Sequence, residues 1–205
     1  AAEDTATAPI NPYGQSKLMS ELMLADLSRA TAMRHVTLRY FNVAGSDPGG
    51  RIGQCTPGAT LLIKVAAEVA IGKRAGLAVF GTDYPTRDGT GVRDYIHVVD
   101  LARAHLDALS HLEGGGESLT LNCGYGHGYS VREVIAAVEA EAGHRLPVSE
   151  HPRRAGDPPE LIAETGRIRS MLGWVPQYDD LRLIVRTSLA WERKQQENPW
   201  RHASS

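Results

Sequence analysis

The chain has 205 residues, 42% of them apolar, with 22 basic and 24 acidic side chains and a formal charge of −2. That is enough chain for one large or two small domains, and the charge is too balanced for a nucleic-acid-binding stripe. The two cysteines, Cys55 and Cys123, have no metal or redox spacing, which points to a reduced, cytoplasmic compartment.

The N-terminus is polar and has no apolar signal core. Residues 1–10 read as a loop. Asn11-Pro12 then opens a helix to about Ala32, because Asn caps well and Pro at the first helical position loses no hydrogen bond. Leu18, Leu22, Ala25 and Leu27 give this helix its apolar side; Met19, Met23 and Asp26 fall on other faces, which suits packing on a partner. Val36 to Phe41 is rich in β-branched and aromatic residues and reads as a strand that Asn42 ends. Residues 46–58 read as loop, and Thr60 to Ile71 as a helix stopped by Gly72. This apolar run carries Lys64 and Glu68, so it is an amphipathic helix and not a membrane span. A short strand, Leu77 to Phe80, leads into a turn-rich loop, 81–91, and a second strand from Val92 to His97. A helix from Val99 to Leu112, a link at 113–118 and a strand at Leu119–Asn122 follow. Ser130-x-x-Glu133 is a capping box for a helix that Gly143 closes. A strand near Pro147–Glu150, a loop at 153–159, helices at 166–172 and 181–196 and a frayed tail after Asn198 complete the chain. Alternating strands and helices predict an α/β fold with mostly parallel pairing.

Within the first helix, Tyr13 and Lys17 are four residues apart and share a face. An ammonium beside a phenol favours the phenolate, and a phenol so poised can exchange a proton with a sugar hydroxyl. The same spacing also occurs on ordinary solvated helix faces. Gly124-x-Gly126-x-Gly128 has the wrong spacing for a dinucleotide-binding loop and reads as a turn.

Five runs occur in one order: YGQSK at 13–17, LRYFNVAG at 38–45, LAVFGTDYPTRDGTGVRDYIHVVDLARAH at 77–105, LNCGYGHGYSVREV at 121–134 and RRAGDPPE at 153–160. On these, nearly the whole chain resembles the extended short-chain dehydrogenase/reductase superfamily, and within it the UDP-glucose (UDP-galactose) 4-epimerase family. The resemblance implies the C-terminal part of a Rossmann-like doubly wound sheet plus a smaller α/β substrate-binding domain. Residues 1–45 would be a remnant of the NAD-binding domain. Residues 46–205 would be mainly the nucleotide-sugar domain, with 91–112 packing back on the Rossmann part.

The family's reaction is oxidation of a UDP-sugar at C4, rotation of the 4-keto sugar and re-reduction, with NAD as cofactor. By resemblance Tyr13 is the base. Lys17 tunes it and bonds the nicotinamide ribose, and Tyr40 faces the nicotinamide region or simply packs. Asn42 would touch the sugar diphosphate, Leu61, Ala78 and Phe80 would line the uracil pocket, Arg93 and Arg154 would clamp the pyrophosphate, and Asp157 would hold the ribose diol. Guanidinium forks suit phosphate oxygens. Arg93 could instead pair with Asp94 or Asp88, and Arg154 with Asp157, as ordinary surface pairs. Tyr95 and His97 are taken as structural supports, and His35, His105, His111 and His151 as surface or core residues; no metal site is expected.

Two positions depart from the family pattern. Thr60 stands where an Asn or His usually meets the substrate, and Leu161 stands where some members carry a tyrosine, leaving room for an N-acetylated sugar. The family's glycine-rich turn, adenosine-ribose acid and catalytic Ser/Thr precede the Tyr-x-x-x-Lys helix and are not in this sequence. The chain is therefore expected to bind NAD poorly and to epimerise nothing measurable on its own. The alternatives are a silent remnant that binds nucleotide sugar or dimerises through the Tyr13 helix, a UDP-pentose 4-epimerase, or a nucleotide-sugar dehydratase. A homodimer through that helix is expected of the full enzyme.

Overall fold

A computed structural model describes residues 1–198; the expected fraying after Asn198 lies outside the described residues. In chain order the elements are α1 (Pro12–Ala30), β1 (Val36–Tyr40), β2 (Asn42–Ala44), α2 (Leu62–Ala70), β3 (Leu77–Phe80), β4 (Val92–Arg93), β5 (Tyr95–His97), α3 (Val98–Glu113), β6 (Leu119–Cys123), β7 (Tyr129–Ser130), α4 (Val131–Ala142), β8 (Val148–His151), β9 (Glu160–Leu161), α5 (Gly166–Leu172) and α6 (Leu181–Glu197). Three pairings are parallel two-stranded units, β1–β6, β2–β5 and β3–β8. The fourth sheet has order β7-β4-β9, with β7 antiparallel and β9 parallel to β4. The expected mixed α/β fold with mostly parallel pairing is therefore present.

The helix signals act as read. Asn11 accepts the Gly14 N–H at 2.8 Å with Pro12 in the first turn. Ser130 and Glu133 complete a capping box, and Gly143 (φ +81°) ends α4 in the left-handed region that a side chain resists. Helices α2, α4 and α6 pack on one another, burying Ile63, Ala66, Val134, Val138, Ile184 and Leu189 against Leu77 and Val79 of β3.

Several expectations need correction. Helix α1 stops at Ala30, where Thr31 turns extended and its hydroxyl bonds the Leu27 carbonyl at 2.7 Å. Asn42 does not end strand structure; it opens β2, because its partner Tyr95 lies in a separate sheet from β6. The strand from Val92 to His97 is broken at Asp94, which hands the chain from one sheet to another. The stripe Leu18, Leu22, Ala25, Leu27 is also wrong in part. Gly14, Leu18, Glu21, Leu24, Ala25 and Ser28 are the half-buried positions, while Leu22 and Leu27 are exposed with Met19 and Met23. The bidentate pair Arg39–Glu21, at 2.8 and 2.6 Å, orients the helix this way against β1.

Candidate functional site

The segment leading into α1 seats on the 153–157 loop: a Cβ at Gly156 (φ +82°) would lie 2.5 Å from Ile10 Cδ1. The tyrosine end of the helix therefore starts beside the loop that carries Arg154 and Asp157. The Tyr13 ring is 70% exposed. Lys17 Nζ stands 5.3 Å from the centre of that ring, so the shared helical face is real. Tyr40, at the end of β1, is also exposed.

The arginines and their loop meet at the strand edges. In β3 the pleat sends Leu77 and Val79 into the core and leaves Ala78 and Phe80 half-buried on the other face. The Arg154 guanidinium lies 3.9 Å over the Phe80 ring, and His151 stacks on that ring with centroids 5.3 Å apart. Arg93, in β4, approaches Asp157 at 3.8 Å and stands in register with Leu161 of β9. The pairings weighed as alternatives do not form. Asp94 faces backbone N–H groups, Asp88 accepts from Thr90 and Ser130, and Arg154 makes no ion pair among the described residues. The neighbouring Arg153 is committed elsewhere. It bonds Asp83 at 2.7 Å, which lowers the Asp83 carboxyl below its ordinary range, and it stacks on Tyr84. This leaves Arg93 beside Asp157 and Arg154 over Phe80 as the cations of this edge.

Asn42 donates its N–H to the Asp94 carbonyl at 3.0 Å. Thr60 is exposed and Leu61 is partly so. Arg74 holds the preceding Ala59 carbonyl at 2.8 Å, which fixes that segment near the start of β3. Asn42 and Leu61 line a cavity of about 610 Å3 together with residues 43–47 and 51–54 and residues of α2, α3 and α6. Arg93, Arg154 and Asp157 do not line it. The predicted residues thus form three groups, at the α1 entrance, at the β3–β4–β9 edge and at the cavity wall.

The glycine-rich turn after β6 is internally occupied. A Cβ at Gly124 would lie 2.6 Å from Asp94 Oδ2, and the N–H groups of Tyr125 and Gly126 both donate to that carboxylate. Two of its N–H groups are thereby engaged by a carboxylate of the chain itself.

A family model described as GDP-mannose 4,6 dehydratase matches residues 1–187. The chain belongs to this family. Among curated relatives, the UDP-glucose 4-epimerase of Azospirillum brasilense is 58% identical over 196 residues, which are 96% of this chain and 56% of that protein. A crystal structure of UDP-glucose 4-epimerase from Stenotrophomonas maltophila, with bound NAD and formylated UDP-arabinopyranose, superposes with a TM-score of 0.92 at 42% identity; the match covers 96% of this chain and 59% of that one. The UDP-Glc/GlcNAc 4-epimerase of Campylobacter jejuni is 52% identical with a TM-score of 0.79, over 95% of this chain and 59% of that one. The chain spans a little over half the length of the relatives it matches, as the resemblance to a C-terminal part of UDP-glucose 4-epimerase requires.

The long signature run at 77–105 buries the polar side chains of Asp94, His97 and Asp100, which have partners elsewhere in the chain. Asp94 and Asp100 are fully buried. Asp100 accepts the Tyr125 hydroxyl at 2.7 Å and the N–H groups of Gln177 and Tyr178. His97, taken as a support, caps α3 by accepting the Val99 N–H at 3.1 Å and meets the Thr187 hydroxyl at 3.1 Å. Burial lowers its pKa, against the pull of Asp100. Burial, with Asp94 and Asp100 nearby, pushes the Cys123 thiol up to about 12, so it is no nucleophile. His151 is a surface residue, as expected, and stacks on the Phe80 ring. The signal for Asp94 and Asp100 was available in principle: carboxylates within the apolar setting of VRDYIHVVDLA must find donors. No helix among the described residues is long and apolar enough to cross a membrane.

Proposed function

We propose that the chain is the nucleotide-sugar-binding part of a UDP-sugar 4-epimerase that interconverts UDP-glucose and UDP-galactose with NAD. Residues 46–205 serve mainly the substrate and residues 1–45 the NAD side. One observation carries the reading. Arg93 approaches Asp157, the Asp157 N–H turns back onto the carbonyl of Arg154, Arg154 lies over Phe80, and the Ile10–Gly156 contact starts the Tyr13 helix beside that loop.

Each side chain then has a task. Arg93 and Arg154 neutralise the pyrophosphate, whose planar oxygen pairs match guanidinium forks. Phe80, Ala78 and Leu61 offer an apolar wall to the uracil, and Asp157 accepts from the ribose diol. Asn42 and Thr60 meet the sugar diphosphate. Tyr13 takes the proton from the sugar 4-hydroxyl and later returns it, and Lys17 beside it stabilises the phenolate. Bound NAD would supply hydride acceptance and return, with Lys17 and Tyr40 at its nicotinamide end. Leu161, small beside Arg93, leaves space for an N-acetyl group on the sugar.

The test joins this chain to the N-terminal half of the Azospirillum brasilense relative. The fusion is expected to convert UDP-galactose to UDP-glucose, and its Tyr13→Phe variant is expected to be silent; a fusion that folds, binds NAD and turns nothing over contradicts the proposal. The chain alone with added NAD is expected to show no measurable turnover. UDP-N-acetylgalactosamine should be accepted by the fusion, and no activity on it removes the assignment of Leu161. A second reading, a catalytically silent copy that dimerises through α1, is favoured by the exposed Met19, Leu22, Met23 and Leu27. A silent fusion that is dimeric by light scattering would support it.

A further inference from the structure

Asp94 sits at the break between β4 and β5, fully buried, with no cation in ion-pair range among the described residues. Five hydrogen bonds converge on it. Its N–H donates to the Leu161 carbonyl at 3.2 Å, and its carbonyl accepts the Asn42 N–H at 3.0 Å. Oδ1 accepts the Tyr125 N–H at 2.9 Å, and Oδ2 accepts the N–H groups of Gly126 at 3.0 Å and Ala163 at 3.2 Å. One residue therefore fastens three pieces together: the start of β2 with Asn42, the turn after β6, and the chain leaving β9 just beyond Leu161. Its immediate neighbour is Arg93.

We propose that Asp94 is a positioning residue for diphosphate recognition: its carboxylate locks β9 and the post-β6 turn around β4 and so fixes where the Arg93 guanidinium stands relative to Asn42. This rests on the nucleotide-diphosphate reading of the cleft above. The chemistry explains why a carboxylate is needed. Burying an unpaired negative charge is costly, and three backbone donors on two oxygens make it bearable. An asparagine has one accepting oxygen. It can serve Tyr125 or the Gly126–Ala163 pair, and its NH2 then faces a backbone donor. The donors lost are the ones that hold the strand next to Arg93.

The test compares UDP with uridine as probes, using calorimetry on the 205-residue chain with urea unfolding in parallel. Uridine lacks the diphosphate, so the ratio of the two affinities reports the phosphate grip and not the amount of folded protein. Asp94→Asn is expected to lower the UDP-over-uridine ratio by about tenfold while uridine binding changes by less than about twofold. Asp100→Asn is the matched control: an equally buried carboxylate that also serves backbone donors, whose loss lowers the urea midpoint and leaves the ratio unchanged. If Asp94→Asn does not fold, Ala163→Pro deletes a single donor and is expected to lower the ratio about threefold. An unchanged ratio in the folded Asp94 variant, or in the Ala163 variant, overturns the positioning role and leaves the reading of the cleft intact. An equal fall in Asp100→Asn also overturns it, since any buried carboxylate would then suffice. A wild-type chain with no preference for UDP over uridine overturns both.

Discussion

Helices α1 and α2 make an instructive pair. Helix α1 is 19 residues long and has no buried residue, although it carries Met19, Leu22, Met23 and Leu27. Helix α2 has nine residues and buries six, including Lys64 and Glu68. Helix α2 is the more apolar of the two, but it buries two charged residues as well, and for those what the rest of the chain offers decides. Helix α2 lies between α4 and α6 and meets a carboxylate on α6, Glu192, in contact with Lys64 Nζ; Glu68 meets Lys64 at 3.3 Å and Lys73 at 3.4 Å. Helix α1 meets Arg39 of β1 through Glu21 and His35 and Ser118 through Ser28, and turns Met19, Leu22, Met23 and Leu27 to water. Charge can be interior where its partners are, and oil can be exterior where it has none.

The largest effect that sharpens this contrast is expected at Lys64. Lys64→Met leaves Glu192 and Glu68 buried with less positive charge, and should cost about 3–5 kcal/mol in urea unfolding. A loss below about 1 kcal/mol would mean the pair is not buried as described.

A smaller, pH-dependent effect belongs to His97. Burial depresses its native pKa, so the folded chain keeps the ring neutral while the unfolded chain takes up a proton below about pH 6.5. Its contribution is present above that value and is lost as the pH falls towards the depressed native pKa. The urea midpoint of the wild type should fall more steeply between about pH 7.5 and 5.5 than that of His97→Asn. Parallel profiles would place the ring in water.

The smallest effect is expected on α1. Leu22→Ser should shift the unfolding free energy of the chain by less than about 0.5 kcal/mol, because the side chain is already exposed. A loss comparable to that of a core leucine would show that α1 is covered and would erase the comparison.

Much of the fold was legible because its signals are local. Asn11-Pro12, Ser130-x-x-Glu133 and Gly143 act within a turn of chain, so helix ends could be read from the residues beside them. The alternation that puts Leu77 and Val79 inside and Phe80 at the cleft is also local. What escaped depends on distant partners. The interior place of Lys64 needs Glu192, 128 residues on. The two-residue strands β7 and β9 are too short for a period and exist only because β4 lies between them. Asp94 looked like a partner for Arg93 because both are charged and adjacent. Its true partners are backbone N–H groups, which a sequence does not display. Arg93, Arg154 and Phe80 stand out in the sequence through the motif, whereas His151 over Phe80 follows only from the β3–β8 register.

The central claim is that Arg93 and Arg154 grip a diphosphate at this cleft edge. Calorimetric titration of UDP into the wild-type chain and into Arg93→Ala and Arg154→Ala tests it most directly. The account predicts saturable UDP binding that each variant weakens by about tenfold or more, as loss of a charge-assisted contact should. UDP binding that is absent from the wild type, or unchanged in both variants, would contradict it.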